Sequence, residues 1–427
     1  MSDVRDKKKG LAGGSVQSAS APGGERGGAP GRFGRYALAL AVLVGGAFTY
    51  VSLTDVPGEA AQAGPTPAPP PSAAPTPVVS STPAMAEEWT PQPFTLPVQY
   101  AYAPDLHNCR RGASPQDVSE SIACNGWTLR VKHTNGEKPD EQGLAHSRTC
   151  SQRGCWSNIR LHDAVNFAKI DESTTRSMPL QISPDGHSVV YFSASRMQFV
   201  GWHLPTARIE PVSPRMDVAT LAEFQGVDIS PDGRFFSVSF SGESPRVLVT
   251  NAATRKTSTF RGFCDVLGIS RNATVIAAGR GCRDAAGSSP VKKGTVAILD
   301  RRGKIQGEWR RDGIDYSLSP DGLRLVEVRS DVDESGKEQL VIYNTKTAGR
   351  VLKKHELRLL SQPKTASATG RSWANEHEYV VRADKAGGRG SLGYYAVDVR
   401  SGASQRLRDL PLRGGEQFSL GKVGTES

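Results

Sequence analysis

The chain has no lysine or arginine between Arg35 and Arg110, and no charge of either sign from Tyr36 to Leu53. It also lacks the short motifs that most often carry catalysis. There is no Gly-x-Ser-x-Gly elbow, which removes the serine nucleophile of the α/β hydrolases. There is no His-Glu-x-x-His pair for zinc, no Walker phosphate loop and no EF-hand loop. The glycines of Gly387-Gly388-Arg389-Gly390 precede a strand-like run instead of opening a helix after one, so they read as a loop and not a nucleotide cradle. Runs with a convincing apolar stripe at helical spacing are missing too, and the expectation is an all-β fold.

The uncharged run contains Ala-Leu-Ala-Leu-Ala-Val-Leu-Val at 37–44. As a helix, residues 36–53 reach roughly 27 Å, close to the ~30 Å of a bilayer core. Lys7, Lys8, Lys9, Arg26, Arg32 and Arg35 all precede it. This one-sided charge predicts a single-pass anchor in the cell membrane, with the N-terminus cytoplasmic and the C-terminal domain extracytoplasmic. A cleaved signal peptide, with Ala61 and Ala63 near the cut, is the alternative, but the polar lead is long for one. Residues 1–35 carry seven basic and three acidic side chains with little apolar content, so they are expected to be a disordered tail beside anionic lipid. Residues 54–93 are rich in Pro, Ala, Ser and Thr, densest at Pro65–Pro71, and read as a semi-rigid linker of up to roughly 120 Å.

Beyond the linker a four-residue turn recurs: Ser183–Gly186, Ser230–Gly233 and Ser319–Gly322 all read Ser-Pro-Asp-Gly. Each residue suits its place in a type I turn. Ser270-Arg271-Asn272-Ala273 and Ser372-Trp373-Ala374-Asn375 occupy the same frame in two further units. A second element accompanies the turn, an apolar run closed by a polar residue. The closing residues are His203, Asn251, Asp300, Asn344 and Asp398, with a weaker copy at Asp163. Their intervals are 40, 48, 49, 44 and 54 residues, the spacing of four-stranded propeller blades. In the first unit Asn125-Gly126 is a hairpin signal. The expected fold is a β-propeller over residues 94–420, with a short tail at 421–427. It has six four-stranded blades, or seven if 94–117 belong to another.

These motifs resemble the TolB-like propeller repeats, relatives of the WD-repeat propellers, over residues 174–410 and more loosely over 118–173. The resemblance implies fold and says little of function, because propellers host many activities. The Trp-Asp pair of WD repeats is absent, and no hydrolase domain follows the propeller. Heavy use of Ala, Gly, Pro and Arg suggests a GC-rich bacterial source, actinobacterial on composition alone.

Six cysteines, Cys109, Cys124, Cys150, Cys155, Cys264 and Cys282, suit disulfides in an oxidising compartment. Cys264 and Cys282 lie symmetrically about residue 273, which predicts that they face each other across a hairpin. His146, Cys150, Cys155 and His162 could instead hold zinc, but their spacing fits no familiar pattern. The acidic run Asp331-Val332-Asp333-Glu334-Ser335-Gly336 is expected to be a solvated loop between two strands, since Glu338 comes too early to close a calcium loop. No catalytic residue, metal or cofactor is expected, and no nucleic acid. The function expected is a tethered binding or protein-interaction platform with a protein or cell-envelope partner. A glycan or peptide hydrolase or lyase at the channel mouth and a transmembrane sensor are the alternatives.

Overall fold

Ser183, Ser230 and Ser319 are each fully buried. In the computed structural model each hydroxyl accepts the backbone N–H five residues on, that of Ser188, Phe235 or Arg324, at 2.9–3.0 Å. The same hydroxyl donates to the Asp two residues on, Asp185, Asp232 or Asp321. The turn aspartates are thereby consumed structurally, as the sequence suggested. The glycine closes the turn at positive φ, +65° at Gly233, where a Cβ would also come within 2.6 Å of Ser188 in the preceding sheet. Turn and neighbour are therefore packed tightly together.

The structure describes residues 93–104, 122–133, 147–151, 154–281, 294–310, 316–330, 338–347, 349–357, 366–385, 391–408, 410 and 417–423. The chain divides into two units, Met1–Ser80 and Ser81–Ser427, and every described residue belongs to the second. Residues 36–53, the linker up to residue 92, Cys109, His146, Cys282, the acidic loop 331–336 and Gly387–Gly390 lie outside the described residues. Among those described, no helix is long and apolar enough to cross a membrane.

Four antiparallel four-stranded sheets follow one another as the blades of a propeller. In each, the turn joins the first strand to the second: Phe224–Ile229 to Phe235–Phe240, Asp265–Ile269 to Val275–Arg280, Tyr316–Leu318 to Arg324–Ser330, and Ala366–Trp373 to Glu378–Lys385. The apolar runs singled out in the sequence are the third strands, such as Arg246–Asn251 and Thr295–Asp300. Among the described residues, helix is confined to Val218–Glu223 and a few single 3-10 turns.

The remaining strands form one ten-stranded sheet. Within it, Gln181–Ile182, Ser188–Ser193, Gln198–His203 and Arg208–Pro211 pair in order, as in a blade. A second set runs Gln417–Leu420, Val98–Ala103, Ile122–His133, Gly154–Lys169, so the last described strand pairs with the first. Phe418 stacks between Tyr100 and Tyr394, with centroids 5.1 Å from each. The pairing continues past Leu420: Gly421 and Lys422 donate to Gln99 and Val98, and Val423 is buried, so the first residues of the expected tail lie against the sheet.

Two local expectations fail. Asn125-Gly126 is no hairpin: both residues lie inside the single strand Ile122–His133. Gly126 takes φ +101° at a bulge where the register slips from Asn125↔Val165 to Trp127↔Leu161. Burial of Trp127, Leu129 and Val131 rewards continuing the strand over turning. Ile159–Asp163 likewise sits within the sixteen-residue strand Gly154–Lys169, at the end of its set and not third in it.

Core residues of the described strands fall into six clusters that bridge neighbouring sets of strands. Val190, Phe192 and Phe199, for example, meet Phe224, Val227 and Val238. Tyr100 and Leu420 meet Val380 and Tyr394.

The turn serines are expected to carry measurable stability. Ser230→Ala strands a buried N–H and should cost about 1–2 kcal/mol in chemical unfolding, while Ser244→Ala, outside the turn frame, should leave stability unchanged. Equal effects would contradict the role given to the turn.

Candidate functional site

The residue two places before each turn serine shares one position in the frame: Gln181, Asp228, Gly268 and Ser317. All four line a cavity of about 290 Å³ among the first strands of the sheets. The residues between them and the serines, Ile182, Ile229, Ile269 and Leu318, are 2–6 % exposed and lock the strands into the core. Alternation along the strand then turns the preceding side chain toward the centre. Gly268 has φ +143°, and a Cβ there would come within 2.5 Å of Leu318 Cβ, so glycine permits two neighbouring strands to close up.

Two carboxylates share this cavity, Asp228 and Asp265. Burial in the channel wall pushes the Asp228 carboxyl up to about 7, and the charge of Asp265 adds to the rise, while the hydrogen bond its Oδ1 accepts from Ile229 N at 2.8 Å works against it. Asp228 is therefore poised to hold or release a proton near neutral pH. Tyr316, Trp373 and Tyr379 supply the aromatic part of the wall.

Pro184, Pro231 and Pro320, one from each Ser-Pro-Asp-Gly turn, also line the cavity and are shared with a wider one of about 640 Å³ on the turn face. Arg271, Glu376, His377, Glu378 and Asp398 line this mouth. Arg271 reaches Glu376 at 3.6 Å, and its backbone N–H donates to Pro320 O at 2.9 Å, linking neighbouring turns. His377 Nε2 lies 3.1 Å from an Arg400 guanidinium nitrogen and so serves as acceptor. A second buried carboxylate, Glu327, is structural. It accepts from Tyr343 Oη at 2.6 Å and pairs with Arg329 at 2.9 Å.

The turn residues flagged in the sequence do line the channel and its mouth, whereas none of the described cysteines does. Cys124 is buried, and neither it, Cys155 nor Cys264 is a free thiol. Cys150 pairs directly with Cys155 across two strands. Cys264 N bonds Gly279 O, and a bulge between Val266 and Gly268 places Asp265 opposite Gly279. The expected partner of Cys264, Cys282, lies outside the described residues. Among the described residues no three His, Cys, Asp or Glu side chains converge as metal ligands. The strands flanking the acidic loop, Arg324–Ser330 and Glu338–Asn344, do pair as expected. The sequence signal for the channel was the frame position before the turn, where Asp228 stands in line with Gln181 and Ser317.

A carboxyl that holds its proton more tightly folded than unfolded favours the fold at low pH, and that contribution is lost as pH rises from about 4 through 7. Asp228→Asn should therefore stabilise the protein at pH 8, on the order of 1–2 kcal/mol after allowing for water in the channel, and have little effect at pH 4. Thermal unfolding at the two pH values checks this, and equal shifts would contradict it.

No protein-family model matches the chain, and no curated protein matches it in sequence. Structurally it is similar to TolB from Acinetobacter baumannii, at 13% identity and TM-score 0.40, covering 76% of this chain and 67% of that one. A protein assigned as TolB from Agrobacterium tumefaciens aligns at 15% identity and TM-score 0.38, over 57% of this chain and 87% of that one. Kuenenia stuttgartiensis hydrazine synthase aligns at 15% and 0.37, over 55% of this chain and 66% of that one. Likeness at this level says nothing of activity, and the propeller arrangement rests on the sheet topology itself.

Proposed function

We propose that this chain is a membrane-tethered, extracytoplasmic binding platform whose six-bladed propeller engages a protein or cell-envelope partner through its turn face. The observation that carries the binding reading is the preformed concavity of about 640 Å³ on that face. Its floor is built from turns whose serine hydroxyls both donate and accept, so a partner meets a surface already ordered and the entropic cost of binding falls. Six shared core clusters, with the last described strand returning to the first, support the count of six. Tethering rests on the sequence: the uncharged residues 36–53, basic residues on one side only, and a Pro-rich spacer on the other. The tail 1–35 then lies inside, against anionic lipid.

A photo-crosslinker at Asn375, exposed at the mouth, should give a discrete adduct on intact cells, while one at Lys354 on an outer strand should not. Protease added outside should remove the propeller and leave the N-terminal tail in the membrane fraction. Identical labelling at both positions, or a soluble protein with a mature N-terminus near Gly64, would contradict the reading.

An enzyme at the same channel is favoured by one observation, the sharing of one cavity by Asp228 and Asp265, with Asp228 protonatable at neutral pH. Turnover of glycan or peptide fragments abolished by Asp228→Asn would establish it.

The extracytoplasmic placement also carries a thiol prediction. Cys150 with Cys155, and Cys264 with Cys282, are proposed as disulfides, leaving Cys109 for Cys124. Peptide mapping without reductant should recover these pairs, and free thiols at all six positions would place the domain in a reducing compartment.

A further inference from the structure

We propose that the channel binds an organic cation, a primary ammonium or guanidinium group on a slender carrier, between Asp228 and Asp265 and against the rings of Tyr316, Trp373 and Tyr379. This rests on the platform reading and names the chemistry that the platform takes.

The chain is basic overall, with a formal net charge of +10. The channel and its mouth invert that sign. Asp228 and Asp265 lie inside, and Asp185, Glu376, Glu378 and Asp398 line the mouth, against Arg271 alone among the lysines and arginines of the described residues. Arg271 is already paired with Glu376. Carboxylates gathered in a narrow cleft with low-dielectric walls focus a negative potential along it and draw in cations. The two cavities share the three turn prolines, so the funnel leads from the mouth to the inner pair.

The walls carry a second, independent pointer. Trp373 lines the channel, is 4 % exposed, and its indole N–H has no acceptor. A buried donor without a partner costs free energy, and an occupant supplying an oxygen beside its cationic group would satisfy it. Two tyrosines and a tryptophan around a carboxylate pair suit an alkylammonium or guanidinium, whose carbons pack on ring faces while the charge meets the carboxylates. At about 290 Å³ the cavity admits a side-chain-sized group and excludes a folded element. Cation entry would also favour the ionised form of Asp228, which like-charge repulsion from Asp265 otherwise opposes.

The test uses the full chain in detergent and isothermal titration with three probes: acetyl-lysine amide, its neutral isostere acetyl-norleucine amide, and spermidine. Acetyl-lysine amide should bind saturably, with the norleucine compound at least tenfold weaker. Asp228→Asn and Asp265→Asn should each weaken binding at least tenfold, while Lys346→Ala, away from the channel, should not. If either Asn variant fails to fold, carbodiimide labelling of Asp228 in the unaltered protein should be slowed by saturating acetyl-lysine amide. Tighter binding of spermidine would assign a free polyamine, and the reverse order a basic side chain of a peptide. Equal affinity for the norleucine compound, unchanged affinity in both Asn variants, or binding of calcium with no competition from either organic cation would overturn the proposal. Failure of every probe while the Asn375 adduct still forms would sink this inference and leave the platform standing.

Discussion

The propeller turns on a buried serine hydroxyl that recurs after the first strand of four of its strand sets. The hydroxyls of Ser183, Ser230, Ser270 and Ser319 all accept the N–H five residues on. Leaving a buried hydroxyl and a buried N–H unbonded is costly, so the chain is favoured to reverse where that N–H returns to the hydroxyl. Ser270 shows that the serine, and not the aspartate or glycine after it, is the constraint. Its turn has no aspartate. Thr274 Oγ1 stands near the hydroxyl at 3.2 Å, and Asn272 and Ala273 take the positive φ values. The Ser372 unit departs further, with Asn375 Oδ1 accepting from His377 and Glu378 in place of the serine bond.

Fixing the turn fixes which side chains reach the centre. The aliphatic residue before the serine is locked into an inter-blade cluster, and the one before that faces the channel. A single local hydrogen bond thus positions Asp228, and Asp265 of the next blade lines the same cavity. The outcome is a protein with a basic total charge and an acidic axis. That contrast carries more information about ligands than the total, because field lines concentrate where the dielectric is low.

What could be read from the sequence followed range. Turns are local, and the Ser-Pro-Asp-Gly copies and third strands appear where their residues placed them. The return of Gln417–Leu420 to Val98–Ala103 joins segments some three hundred residues apart in a sequence of 427 and leaves no local mark beyond short apolar runs. Asn125-Gly126 misled because a hairpin signal says only that φ can be positive, and a bulge uses the same freedom. The channel carboxylates were hidden because Asp228 and Asp265 belong to different blades, although the frame position of Asp228 was visible beside Gln181 and Ser317.

Asp228 sits in the wall of a narrow channel that it shares with a second carboxylate, Asp265, whose charge it feels. Carbon-13 NMR of aspartate-labelled protein, with the resonance assigned by its loss in Asp228→Asn, measures this directly. One carboxyl should titrate near pH 7, and Asp265→Asn should lower its midpoint. Titration of every aspartate below about pH 5, or a midpoint indifferent to Asp265, would contradict the account.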